Sequence, residues 1–221
     1  MKPLILGYSP WSSPDDCHPF NNVFNECVSL QDIQVGECDA IVLWGGTDIN
    51  PKYYGQAPHT LTYHHEHSTR DKLEWMWLHS ALLQDVPIIG VCRGAQLICA
   101  GVGGTLFQHV TGHQSTHAIE TKDGKVYQSS SAHHQMLNLL NLPKDTYEVL
   151  AWSKNNRSKQ YEDANGVVVV PDDFKEPEIV LFPKAKALAV QGHPEWQDLH
   201  DPFNQYVLEL VQQLVGKEVA V

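Results

Sequence analysis

Short apolar runs alternate with helical patterns along most of the chain. The strand-like runs are LILGY from Leu4, AIVLW from Ala40, PIIGV from Pro87, GVVVV from Gly166, EIVLF from Glu178 and ALAVQ from Ala187. Runs this short, bounded by Gly, Pro or Asp, predict buried strands. Val23, Phe24, Cys27 and Leu30 fall at helical spacing and predict a helix near the N-terminus. A stronger helix is predicted from Arg70 to Leu83, with Ser68 as N-cap and Asp71 three residues on as a weak capping box. Leu73, Trp77 and Ala81 line one face of it, with Met76, Leu78 and Leu82 nearby. Pro202 to Val215 reads as a third helix, and the polar stretch from Lys154 to Asp163 as a surface loop. Alternating strands and helices predict an α/β fold with a mostly parallel central sheet flanked by helices on both faces. With no repeat, low-complexity tract or linker, residues 1–221 are expected to form a single domain.

Composition narrows the function classes. Hydrophobic residues make up 42% of the chain and charged residues 19%, which is globular composition. A formal net charge of -11 gives a surface that repels phosphate backbones, so no nucleic-acid partner is expected. The segment MKPLILGYSP is interrupted by Gly7, Tyr8 and Pro10 before a signal-peptide core forms. No apolar run approaches the roughly 18 residues that span a bilayer. The expectation is a soluble, cytoplasmic protein without a membrane partner. The five cysteines, Cys17, Cys27, Cys38, Cys92 and Cys99, are odd in number and form no CxxC pair. Reduced thiols are therefore expected, one of them available as a nucleophile.

Pro87 to Val110 carries the clearest chemical signal. An apolar strand runs into Gly90-Val91-Cys92-Arg93-Gly94, and an apolar helix follows. This G-x-C-x-G is the thiol counterpart of the G-x-S-x-G nucleophile elbow. Small residues on either side let strand and helix approach closely, and the thiol is presented at a helix N-terminus that favours thiolate. The N–H of Arg93 would face an oxyanion on the substrate carbonyl. Taken alone, the motif also suits a buried structural cysteine; its strand-to-helix placement favours chemistry. Cys99, two turns on, reads as core packing.

A thiol nucleophile needs an imidazole to take its proton, and that imidazole needs an orienting acceptor. Among 13 histidines, His193 stands out in AVQGHPEW, where a strand ends and Pro194 stiffens the turn carrying Glu195. Without Cys92 this would read as a surface turn. Catalytic groups gather at the C-terminal ends of parallel strands in open α/β sheets.

Together these segments resemble the class I glutamine amidotransferase superfamily, and most closely its γ-glutamyl-γ-aminobutyrate hydrolase-like branch. DAIVLWGGTDINPKYYG from Asp39 resembles that branch's G-G-x-D-x-x-P-x-x-Y-G signature, and RDKLEW from Arg70 its R-D-x-x-E helix start. GVCRGAQLICAGVGGTLFQ is similar to its nucleophile segment, SSSAHHQ from Ser129 to its N-S-x-H-H-Q segment, and QGHPEW to its Q-x-H-P-E segment. The five segments run in the family's order from Asp39 to Trp196. The resemblance implies a flavodoxin-like three-layer sandwich, a Cys92–His193–Glu195 triad, and an oxyanion hole from the N–H groups of Arg93 and Gly46. It places Gln96, Ser131 and His133 against the glutamyl group of the substrate. Two departures stand out. Gly192 replaces an aromatic residue common before the histidine, which predicts a wider site, and Ser130 replaces the family's Asn.

The activity so implied is hydrolysis of a small-molecule γ-glutamyl amide through a γ-glutamyl thioester, with no cofactor and no metal. The alternatives are a glutaminase subunit serving a separate synthetase or amidoligase partner, and an inactive binding protein. Tyr63-His64-His65-Glu66-His67 lacks HExxH spacing and reads as a polar lid loop. Tyr53 and Tyr54 either line the pocket or pack, and Trp75 and Trp77 read as core or interface.

Overall fold

The computed structural model describes residues 3–11 and 17–216. Five strands form its parallel half: β1 (Ile5–Tyr8), β2 (Glu26–Ser29), β3 (Ala40–Leu43), β4 (Ile88–Val91) and β13 (Ala187–Val190), in the order β2-β1-β3-β4-β13. Beyond β13 the same sheet continues antiparallel through β12 (Pro177–Phe182), β9 (Glu148–Ser153), β6 (His117–Thr121) and β7 (Val126–Ser129). Two small ribbons lie outside it. One pairs β5 (Thr105–Phe107) with β8 (Met136–Asn138), and the other pairs β10 (Tyr161–Asp163) with β11 (Gly166–Val168).

Side-chain alternation on the central strands builds three layers. Ile41, Leu43, Ile88, Ala187 and Ala189 face α1 (Thr69–Gln84) and α2 (Arg93–Gly101) in one core. Ala40, Val42, Ile89, Val91, Leu188 and Val190 face α3 (Pro202–Leu214) and the Phe20–Phe24 segment in the other. Each helix starts where predicted. Ser68 Oγ accepts from the Asp71 N–H at 3.0 Å, and the Asp201 side chain accepts from the Phe203 N–H at 2.8 Å. Tyr54 packs in the first core, while Tyr53 meets the Trp75 ring at a tilt of 47° and Trp77 contacts Trp11.

Four expectations are corrected. Val23 to Leu30 is not helical: a short 3-10 turn (Phe20–Asn22) leads into β2, which finds its hydrogen bonds along β1. Cys17 and Cys27 are joined in a disulfide, so those two thiols are not free. Their ten-residue separation hides a loop that folds back to a Cα–Cα distance of 6.4 Å. GVVVV is a surface ribbon, not a buried strand; pairing with the short β10 leaves Val167 and Val169 64% and 89% exposed. The innermost face of α1 is Asp71, Glu74, Leu78 and Ala81, because its two carboxylates are drawn inward by Arg93. Among the described residues no helix is long and apolar enough to cross a membrane.

Candidate active site

The elbow forms where β4 meets α2. Cys92 adopts φ 51° and ψ −105°, a region that costs a non-glycine residue on the order of 1–3 kcal/mol and persists only where neighbours enforce it. Those neighbours are close-packed. A Cβ at Gly94 would overlap the Leu43 carbonyl, and one at Gly90 would lie 2.5 Å from the Gly94 carbonyl. The Cys92 N–H is tied to the Val190 carbonyl at 2.8 Å. Cys92 is thus held at the N-terminus of α2, next to the end of β13. Burial pushes the other two free thiols up, Cys38 to about 11 and Cys99 to about 12, so both stay protonated as core residues.

β13 ends just before Gln191-Gly192-His193. His193 Nδ1 lies 2.7 Å from Glu195 Oε1. With Nδ1 so engaged, the buried Nε2 is the nitrogen left to face Cys92. Burial works against the imidazolium, but Cys92 and Glu195 outweigh it and raise the His193 pKa to about 9. The Trp196 indole stacks flat on the imidazole, with centroids 3.6 Å apart. Sequence reasoning missed this contact; the only signal was an aromatic three residues after the histidine. Asn204, buried on α3, donates to the carbonyls of Pro194 and Asp198 and so braces the Glu195 turn. The His193 N–H bonds the Ser130 carbonyl at 2.9 Å. The space at Gly192 is not a widened pocket, because a Cβ there would overlap Ser129 Oγ and lie 3.0 Å from the Ser130 carbonyl.

The loop after β3 completes the site. A Cβ on Gly45 would lie 2.9 Å from His193 Cε1 and 3.5 Å from Cys92 Cβ, so this loop, the imidazole and the thiol meet at one point. Gly46 has φ +151°, and a side chain there would overlap the Arg70 guanidinium. Arg70 Nη2 donates to the carbonyls of Trp44 and Gly45 at 2.9 and 2.8 Å, and its Nε to Glu74 at 2.9 Å. Glu74 also receives Ser9 and Arg93, while Asp71 receives Arg93 and the Asn50 N–H. The R-D-x-x-E start of α1 therefore ties the glycine loop and the elbow to one buried ion-pair network.

Gln96, Ser131 and His133 are buried, each with one side-chain atom held by an internal contact. Gln96 Nε2 donates to the Gln135 carbonyl at 3.1 Å, Ser131 Oγ to the His113 carbonyl at 2.8 Å, and His133 Nδ1 lies 2.7 Å from the Gln135 carbonyl. The start of the Tyr63–His67 segment is tied to Asp48, which accepts from the Tyr63 N–H at 2.6 Å and lies 3.1 Å from His134 Nε2.

A buried thiol on a helix N-terminus, beside an imidazole backed by a carboxylate, is suited to nucleophilic attack on a carbonyl. The Peptidase C26 family matches residues 24–195. The chain belongs to that family. Membership makes it an enzyme of the glutamine amidotransferase-like hydrolase type. Protein NtpR of Enterococcus hirae is 28% identical over 73% of this chain and 68% of its own length. A candidate glutamine amidotransferase of Mycobacterium tuberculosis is 38% identical, but over only 38% of this chain and 29% of its own length. Among solved structures, a glutamine amidotransferase from Thermotoga maritima superposes with a TM-score of 0.61 at 14% identity, covering 96% of this chain and 86% of that one. At that identity the likeness shows the shared fold, including the central parallel sheet.

Proposed function

We propose that this C26 member hydrolyses γ-glutamyl amides with Cys92 as nucleophile. The observation that carries the reading is the meeting of Cys92, the His193–Glu195 pair and the Gly45-Gly46 loop at one point. His193 holds, as an imidazolium, the proton given up by Cys92, and the sulfur attacks the γ-carbonyl carbon. The N–H groups of Arg93 and Gly46 receive the resulting oxyanion. His193 returns the proton to the departing amine, leaving a γ-glutamyl thioester. It then takes a proton from water, whose oxygen attacks the thioester, and glutamate and the free thiol are regenerated. Glu195 fixes the ring and stabilises the imidazolium throughout. Gln96, Ser131 and His133 would face the glutamyl group of the substrate.

The test is glutamate release from glutamine, γ-glutamyl-γ-aminobutyrate and other γ-glutamyl amines and peptides. Release that disappears in Cys92→Ala supports the proposal and names the amine. Release undiminished in that variant would refute it, and labelling of Cys92 without release from any substrate would direct the search to a synthetase partner.

A further inference from the structure

Outside the nucleophile site, the protein buries an unusual set of polar side chains. His113, His117, His133, Glu176 and Glu178 are each 3% exposed or less. They come from the loop before β6, the start of β6, the loop before β8, and the start of β12. The rings of His113 and His133 lie 4.7 Å apart, and those of His113 and His117 5.1 Å.

The hydrogen bonds around this cluster leave two buried acceptor atoms without partners. His133 Nδ1 lies 2.7 Å from the Gln135 carbonyl and must carry the proton, so its Nε2 holds a lone pair, and that buried atom has no partner. His113 Nε2 lies 3.1 Å from Glu176 Oε2. His113 Nδ1 faces Glu178 Oε1 at 3.3 Å, and although burial works against the charge, the two carboxylates raise this ring to about 9, so a metal at Nδ1 would displace a proton. Glu178 Oε1 already accepts from His117 Nε2 at 2.6 Å, while Glu178 Oε2 is buried without a hydrogen-bond partner. The partnerless acceptors His133 Nε2 and Glu178 Oε2 are costly to bury unless a cation or a further donor meets them.

We infer that His113 Nδ1, His133 Nε2 and a Glu178 carboxylate oxygen bind one divalent transition-metal ion of the zinc class. Two imidazoles and a carboxylate form a recognised three-ligand zinc set with a fourth position open. The surroundings supply what such ligands need. One histidine offers its other nitrogen to a carboxylate, Glu176, and the other offers it to a main-chain carbonyl, that of Gln135. The three ligand atoms lie within 4.8 Å of one another. Bonds near 2.1 Å in a tetrahedral site put ligand atoms about 3.4 Å apart, so binding draws the widest edge in by about 1.4 Å. Glu176 is itself held by the N–H groups of Arg157 and Ser158 and by the Tyr161 hydroxyl, all at 2.8 Å. The Gln135 carbonyl that orients His133 also receives Gln96 from α2. The ion would thus brace the Gln135 carbonyl that also holds Gln96 on α2, and the hydrolysis needs no step through it.

The full chain purified without chelator is expected to contain close to one zinc per molecule by elemental mass spectrometry. After stripping, Co²⁺ added to the wild-type protein is expected to restore one equivalent with visible d–d absorption and no thiolate charge-transfer band. His133→Ala and Glu178→Gln should abolish that signal, Cys92→Ala should keep it, and Glu176→Gln should weaken affinity by about 10–100-fold. The cobalt titration of wild-type protein stands even if a variant misfolds. Failure of the stripped wild type to take up either Zn²⁺ or Co²⁺ would mean that protons or water close the cluster, and the inference falls. Undiminished metal in folded His133→Ala and Glu178→Gln would place the ion elsewhere and overturn it as well.

Discussion

Arg70→Ala isolates what the buried network on α1 does for catalysis. Arg70 makes two bonds to main-chain carbonyls of the glycine loop, at 2.9 and 2.8 Å, and its guanidinium occupies the space beside Gly46. Hydrogen bonds to a charged group contribute about 1.5–3 kcal/mol each, so the pair holds the loop with about 3–6 kcal/mol. Glu74 keeps Arg93 and Ser9 in the variant and is not stranded. The fold should therefore survive, while the Trp44-Gly45-Gly46 backbone is freed to rotate. If Gly46 supplies one oxyanion donor, its misplacement costs as much as deleting that donor, about 2.7–4 kcal/mol or 10²–10³ in kcat. KM should change little, since the ground-state carbonyl gains less from the oxyanion hole than the transition state does. Arg70→Lys restores the charge without the two-pronged fork and should recover only part of the loss. Steady-state glutamate release with folded variants measures both constants. An unchanged kcat in Arg70→Ala would refute the view that Arg70 sets the oxyanion loop.

Four further outcomes are expected. His193 is raised to about 9, so kcat/KM should fall as pH climbs through about 9, and Glu195→Gln, which removes one raising partner, should move that alkaline limb down by roughly 1–3 pH units; an unmoved limb would show that Glu195 does not act on the ring. By the same linkage, the stability His193 contributes is complete below about 6.5 and is lost as pH rises through about 9, which thermal melts across that window would register. Trp196→Ala removes a ring stacked on the imidazolium, a contact of about 0.5–2 kcal/mol, and should lower the His193 pKa by up to about 1.5 units in an NMR titration. Gly94→Ala drives a methyl group into the Leu43 carbonyl and should cost at least about 1–3 kcal/mol in urea denaturation together with most activity; a stable, active variant would contradict the close-packed elbow.

Much of the arrangement was legible in the chain because periodicity and glycine placement are local signals. β1, β3, β4, β12 and β13 coincide with apolar runs, and G-x-C-x-G marks a turn where only glycine fits on both sides. What escaped was set by distant partners. The Val23–Leu30 spacing suits a helix, yet the edge of β1 offers Glu26–Ser29 a ladder and wins. GVVVV has strand composition, but composition does not say whether the main sheet has room for it. Asp71 and Glu74 lie inward because Arg93, on another element, draws them there. The disulfide and the His113–His133–Glu178 cluster join residues whose spacing carries no motif, so only the fold brings them together.

The account's central claim is that Cys92 forms a covalent γ-glutamyl thioester, and intact-mass spectrometry of enzyme acid-quenched during turnover of the best substrate tests it most directly. The prediction is a mass increase equal to one γ-glutamyl group, mapped to the Cys92 peptide and absent in Cys92→Ala. Steady glutamate release with no adduct at Cys92, and with activity retained in Cys92→Ala, would contradict it.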